Sequence, residues 1–380
     1  MNSEATMLVP TLPVIKKLDR ISPTLYEAAL KCTSRAAWIA ARDRKSLPPH
    51  PRALLGIGVH AVLERARFEG IAGGTDDERR VNAERIFDGK MDELFAGTHP
   101  LLHAKFEGRE RLPFYNLYRA RAAQMAVDVP SDSGPRRVSQ ARSKRLPRAG
   151  ANVETTLVSK DGRITGRADV IDASNATVID YKTGGPWEST LITDSEKRQL
   201  RLYAFLASEN GVAIRRGVIE RADRSRAEIQ ISPEESAQEG RRALAVLDEY
   251  NRHAGQPFDS AASPSPEACR FCPCIPFCEA FWNRAELDWG RQCGTHIEGI
   301  VESIEGDALV SINLNITRGT AAKGPAVITR LSREWLTFDG IDVPSPQQTV
   351  RVTDSAYINE TSAPAIFRAD RITTAVWTIP

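Results

Sequence analysis

Two short β-prone runs constrain this chain more than any other stretch. They are Gly166-Arg167-Ala168-Asp169-Val170-Ile171-Asp172 and Val178-Ile179-Asp180-Tyr181-Lys182-Thr183-Gly184. Strand side chains alternate faces, so Asp180 and Lys182, two apart, leave the second run on the same side. Asp169 supplies a further carboxylate eleven residues earlier. Asp172, three residues beyond Asp169, projects from the opposite face and is not counted with it. Two carboxylates and a lysine on neighbouring strands make a small cation site with a general base beside it. That is the chemistry of phosphodiester hydrolysis.

The surrounding pattern is that of a mixed α/β core. Ser22-Pro23-Thr24 reads as a helix start, with apolar periodicity to about Ala41. Further helices are expected at Arg52–Phe68, Asp76–Phe95 and Leu112–Val127. Val153–Ser159, Arg163–Asp172 and Thr177–Tyr181 read as successive strands, the first two joined at Lys160-Asp161-Gly162. A helix at Ser195–Ser208, strands at Val212–Glu220 and Ala227–Ile231, and an amphipathic helix from Pro233 to Tyr250 follow. Beyond Trp289 the character changes to short strands: Thr295–Ser303, Ala308–Asn315, Ala326–Leu331, Gln347–Val352 and Thr373–Ile379. Glu305-Gly306-Asp307 is a hairpin turn. Five such strands fit a small OB-like barrel, and a small sandwich fits almost as well. The expected organisation is residues 1–290 as one domain, with a helical insertion at about 70–150, and residues 291–380 as a second.

A net charge of +2 selects no partner class, but its distribution is uneven. Arg136, Arg137, Arg142, Lys144, Arg145 and Arg148 form a run without acids, suited to a phosphate backbone or to a solvated loop. No apolar run reaches the length of a membrane span and no secretory signal is visible, so a cytoplasmic protein without a membrane partner is expected. There is no Gly-x4-Gly-Lys-Ser/Thr loop, so any strand unwinding needs another chain.

Four of the six cysteines crowd into Cys269-Arg-Phe-Cys272-Pro-Cys274-Ile-Pro-Phe-Cys278; Cys32 and Cys293 stand apart. In a reducing compartment this spacing points to metal ligation, with Pro273 and Pro276 stiffening the loop. Zinc and an iron–sulfur cluster both accept four thiolates, and spacing does not choose between them.

Together these residues resemble the RecB-type branch of the PD-(D/E)xK nucleases, the iron–sulfur-containing kind seen in AddB-type subunits and CRISPR-associated exonucleases. The resemblance runs over roughly residues 20–285. Ile21 to Cys32 resembles that family's opening helix with its first cluster cysteine, and Gly56-Ile57-Gly58-Val59-His60 its helical histidine motif. Glu154 with Gly166–Asp169, then Val178–Gly184, resemble the next two motifs. Gln199 and Tyr203 match a Gln-x3-Tyr helix, and Cys269, Cys272 and Cys278 the terminal cysteines. The extra Cys274 leaves open which thiol completes the set, and Cys293 has no counterpart.

The resemblance implies a restriction-endonuclease-like α/β fold and a DNA nuclease using Mg²⁺ or Mn²⁺. Asp169, Asp180, His60 and the Tyr181 carbonyl are the implied metal ligands. Lys182 holds or deprotonates the attacking water. Gln199 positions Lys182 or the phosphate, and Tyr203 supports it. Glu64, one helical turn from His60, is a candidate to orient it or a surface acid. Glu154 either supports the site or flanks a strand. Cys32, Cys269, Cys272 and Cys278 are the implied ligands of a [4Fe-4S] cluster, with Zn²⁺ as the alternative. The expected activity is exonuclease or end processing in DNA repair, recombination or antiviral defence, alone or with a helicase. The competing reading is a non-catalytic nucleic-acid-binding scaffold that kept the nuclease fold. Residues 291–380 hold eight Lys/Arg against ten Asp/Glu, a net −2 that favours protein docking over strand binding, although Trp335, Phe338 and Tyr357 are candidate stacking residues.

Overall fold

The computed structural model describes residues 14–41, 49–128, 151–183, 191–222, 225–337, 343–359 and 364–379. The basic run at 135–148, Gly184 and Phe338 lie outside them, as do the side chains of Glu154 and Tyr357.

Ser22 caps α1 (Pro23–Lys31), its Oγ accepting from Leu25 N, with Pro23 in the first turn. The single helix expected to Ala41 is two. Cys32 is extended at φ −166° and ψ 125°, and α2 (Thr33–Ala40) restarts after it. Contacts made far along the chain override local helix propensity here. On α2, Ser34 Oγ donates to Phe258 O, and Arg35 Nη1 donates to Ala268 O at 2.9 Å. Next come α3 (Pro51–Phe68), α4 (Asp76–Ala96), the short α5 (Pro100–Lys105), which the periodicity does not reveal, and α6 (Tyr115–Asp128). Helices α3, α4 and α6 share a core built on Leu55, Val59, Phe87, Met91 and Tyr118.

The first sheet has the order β1 (Ala151–Val158), β2 (Thr165–Asp172), β3 (Thr177–Lys182), β4 (Arg216–Arg221), β5 (Arg226–Gln230). All neighbours are antiparallel except β3 and β4, which run parallel and are joined through α7 (Asp194–Glu209). A parallel pair requires such a crossover. Capping boxes open α7 at Thr193 and α8 (Pro233–Arg252) at Ser232. The sheet is covered on both sides. Val170 and Tyr181 join the core of α3, α4 and α6, while Ile171 and Val178 pack with Leu200, Leu206 and Leu247 of α7 and α8. Asp180 lies two residues from Val178, so alternation turns it toward α7.

Short helices α9 (Pro266–Cys269), α10 (Glu279–Arg284) and α11 (Gly290–Cys293) lead to the second sheet. Its strands are β6 (Thr295–Glu305), β7 (Leu309–Gly319), β8 (Gly324–Ser332), β9 (Thr349–Asn359), β10 (Ala365–Arg368) and β11 (Ala375–Ile379). The pairings form a ring: β6 with β7, β7 with β8, β8 with β10, β10 with β9, and β9 back to β6. Only the β8–β10 pair is parallel. Strand β11 adds to the outer edge of β9. A helical turn, α12 (Arg333–Leu336), separates β8 from β9. Five of these strands are the expected ones. Strand β10 is too short for its alternation to register. Trp335 is half-buried against this core with Lys105 Nζ 5.1 Å from its ring, so it serves packing instead of an open stacking face.

The second sheet is fastened to the cysteine segment by buried charge. Arg351, 2% exposed, donates to Glu298 Oε2 at 2.8 Å and Pro276 O at 2.7 Å, and pairs with Glu279. Arg318 clasps both oxygens of Glu298 and reaches Glu279 and Asn283. Phe277 meets Trp377 edge-on, and Lys105 Nζ donates to Thr374 O at 2.6 Å. Among the described residues no helix is long and apolar enough to cross a membrane.

Removing one member of a buried ion pair strands the other in a low-dielectric setting. Arg351→Met is therefore expected to destabilise the protein by about 3 kcal/mol, read as a lowered urea midpoint with an unchanged slope. A shift below a few tenths of a kcal/mol refutes this joint.

Candidate active site

Strand β3 and helix α7 build the centre of the site. Lys182 Nζ stands 2.7 Å from Asp180 Oδ2 and donates to Gln199 Oε1 at 2.8 Å. Gln199 Nε2 donates to Asp180 Oδ1 at 3.0 Å and to Tyr203 Oη at 3.2 Å. The amide thus spans the acid and the base, one group to each. Tyr203 lies one helical turn beyond Gln199 and donates to Arg167 O on β2 at 2.8 Å, which fixes α7 against the sheet. The register Val170↔Ile179 on β2 and β3 continues to set Asp169 beside Asp180. Asp169 Oδ2 accepts from Tyr181 N at 2.7 Å, and its Oδ1 lies 3.4 Å from His60 Nδ1 on α3. The seven expected residues of this site, His60, Asp169, Asp180, Tyr181, Lys182, Gln199 and Tyr203, therefore lie together. Of the two readings of Glu64, the structure shows a partly exposed carboxylate that pairs with Arg167 at 3.6 Å. Asp172 accepts from Asn175 in the β2–β3 turn, away from the site.

Three contacts escaped the sequence reading. Arg67 Nε donates to Tyr181 Oη at 2.8 Å, holding the face of β3 opposite Asp180. Arg67 is seven residues from His60, so helical periodicity would have put both on one face of α3. Gly56, also on α3, comes so close to β3 that an added Cβ would stand 2.6 Å from Thr183 Oγ1. Tyr118 of α6 donates to Thr183 O at 2.9 Å. Two elements, α3 and α6, thus hold the residue that follows Lys182.

Asp180 is 3% exposed, and burial pushes its carboxyl up to about 6. Lys182 opposes that rise, Asp169 adds to it by like charge, and His60 opposes it. Asp180 Oδ2 touches Lys182 Nζ as an ion contact but accepts no hydrogen bond. Burial likewise pushes the Tyr181 phenol up to about 12. Among the described residues no group of three or more His, Cys, Asp or Glu converges closely enough to hold a metal ion. Each carboxylate is instead engaged by nitrogen: Asp180 by Lys182 and Gln199, Asp169 by Tyr181 N. The donor set still suits a hard cation, since two carboxylates adjoin and one buried oxygen lacks a hydrogen bond.

All six cysteines are free thiols. Cys32, Cys269, Cys272, Cys274 and Cys278 line one pocket whose other walls include Ala262, Pro264, Ala268, Ile275 and Phe281. The extended backbone at Cys32 delivers its thiol there from more than two hundred residues away. Cys274 belongs to the pocket with the four expected thiols, its Sγ 3.3 Å from that of Cys272. That contact draws Cys272 down to about 7 and pushes Cys274 up. Burial pushes Cys269 and Cys278 up to about 12. Cys293 stays outside, donating to Trp289 O at 3.4 Å.

The sheet thus carries two adjoining aspartates, a lysine two residues beyond the second, and a helical glutamine that bridges the second aspartate and the lysine. The model of the PD-(D/E)XK nuclease superfamily matches residues 20–279, and the chain belongs to that superfamily. None of the curated proteins compared with it matches. Among solved structures, one described as the crystal structure of SSO0001 is similar at 22% identity and a TM-score of 0.24. The match spans 34% of this chain and 60% of that one, less than two thirds of its length.

An unfolded aspartate ionises near pH 4, whereas native Asp180 holds its proton to about 6. The resulting stability is fully present below about pH 4 and is lost as pH rises through about 6. Asp180→Asn removes that loss. Its stability should match wild type near pH 4 and exceed it near pH 8 by on the order of 1–3 kcal/mol in denaturant melts. An advantage independent of pH contradicts the assigned shift.

Proposed function

We propose that this protein is a metal-dependent deoxyribonuclease that trims DNA ends as an exonuclease, in DNA repair, recombination or antiviral defence. One observation carries the reading: the closed circuit of Asp180, Lys182 and Gln199 beside Asp169. A structural ion pair needs no amide linking both partners. A catalytic pair does, because acid and base must keep their spacing as charge moves. Among the described residues no sequence-reading helix-turn-helix or finger array accompanies the site, which favours end processing over site-specific cutting.

Asp169, Asp180, His60 and the Tyr181 carbonyl are the residues to hold Mg²⁺ or Mn²⁺. The bound ion supplies charge neutralisation at the phosphoryl oxygens and a more acidic water. Lys182 orients the attacking water and stabilises the negative charge that develops on the phosphate. Gln199 keeps Lys182 from collapsing wholly onto Asp180, and Tyr203 keeps Gln199 in place. Deeply buried Asp180 resists exchange of its partners for water, so the site is preorganised.

The five thiols around one apolar pocket support a [4Fe-4S] cluster held by Cys32, Cys269, Cys272 and Cys278, with Zn²⁺ as the alternative. Its role in this reading is to tie α1 and α2 to the segment after α9. Residues 291–380 are read as a separate OB-like module: a five-strand ring with a helix between its third and fourth strands supports that. Trp335 packed inward and a net −2 support docking to a helicase or other partner over strand binding.

Labelled single- and double-stranded DNA incubated with Mg²⁺ or Mn²⁺ tests the activity. Asp180→Ala and Lys182→Ala are each expected to slow cutting by at least about 10²–10³-fold. Cutting retained in either variant overturns the assignment. Protein purified without oxygen should be brown and carry about four iron atoms per chain. Stoichiometric zinc without iron removes the cluster.

A further inference from the structure

Phe114 stands just ahead of α6 with φ +70°, a backbone region that bulky side chains rarely occupy. Such strain persists only where something over-determines it, and it collects at functional sites. The backbone is anchored by the buried Leu112 and Tyr115 on either side, yet the Phe114 side chain itself is 46% exposed. The exposed Arg52 of α3 lies over the ring, its Cζ 4.7 Å from the centroid.

Position gives this pair its meaning. Arg52 is one turn ahead of Gly56, the residue that presses against Thr183. Phe114 is one turn ahead of Tyr118, whose hydroxyl is bonded to Thr183 O, and Tyr118 N donates to Phe114 O at 3.0 Å. Arg52 is also close enough to the Tyr118 phenol to act on it electrostatically. Both routes converge on the residue that follows Lys182. An exposed aromatic ring and a guanidinium therefore flank the end of the catalytic strand.

We propose that Phe114 is a stacking platform for an unpaired base of the DNA strand held at the site, with Arg52 as the cation beside it. Every base has a π-face, so a ring placed there grips a strand without reading its sequence. Arginine contributes both cation–π attraction and charge for the neighbouring phosphate. The expected result is a preference for ends with single-stranded character, since a base inside a duplex is already stacked on both faces. The proposal rests on the nuclease reading above and refines its substrate.

The test is binding of a fluorescent oligothymidylate to the full chain in a chelator, where no cutting occurs. Phe114→Leu keeps apolar bulk and removes the stacking face. It is expected to weaken binding about tenfold and to raise KM for cutting with kcat unchanged. Phe114→Trp should restore both. The deficit of Phe114→Leu should vanish on an abasic strand of the same length, an outcome that a merely structural role does not produce. An unchanged melting temperature confirms that the variant folds. Wild-type affinity in Phe114→Leu, or an equal deficit on the abasic strand, overturns the platform. Tighter binding of oligouridylate overturns the DNA assignment. Wild-type protein that binds the strand but never cuts it sinks the nuclease reading alone. Cutting with a Phe114→Leu that behaves as wild type sinks the platform alone.

Discussion

A carboxylate buried to 3% exposure in the middle of a mixed sheet sets the terms for everything around it. Asp180 needs a counter-charge, so Lys182 must follow at the one spacing that returns to the same face. The pair needs its remaining lone pairs and protons met, so α7 must bring an amide. That amide must be aimed, so Tyr203 is pinned to β2. The parallel β3–β4 crossover is the topological means of doing this, because it lays α7 across the strand that carries the charges.

The opposite face of β3 meets a different demand. Tyr181 points into the core of α3, α4 and α6, and Arg67 holds its hydroxyl. Gly56 lets α3 approach Thr183 more closely than any side chain would permit. The helical block is therefore more than an insertion beside the sheet. It fixes the height of the end of β3 and brings His60 to Asp169. The second sheet is tied to the cysteine segment in turn, through Arg351 and Glu298, both nearly fully buried.

Much of this was legible where the signal is local. Prolines and capping residues mark α1, α3 and α8. Alternation locates β2 and β3, and the spacing of Asp180, Lys182 and Gln199 anticipates their contact. What stayed hidden depends on distant partners. The break at Cys32 is imposed by contacts with residues 258–278, and local propensity argues for an unbroken helix. Glu64 sits one turn from His60, yet Arg167 on β2 claims its charge. The Arg351 cluster joins residues from four separate segments, and nothing in any one segment announces it.

The pocket shared by Cys32 and Cys269–Cys278 also sets an order of assembly. A ribosome adds about 5–20 residues each second, so Cys32 waits on the order of 10–50 s for its partners to be made. The acid, base and amide of the site, which end at Tyr203, emerge well before then. During that interval α1 and α2 lack the residues that hold their far end. A nascent chain stalled short of Cys269 would carry Asp180, Lys182 and Gln199 on a body whose α1 is already held by Arg198 and Glu239 while Cys32 still waits for the rest of its pocket.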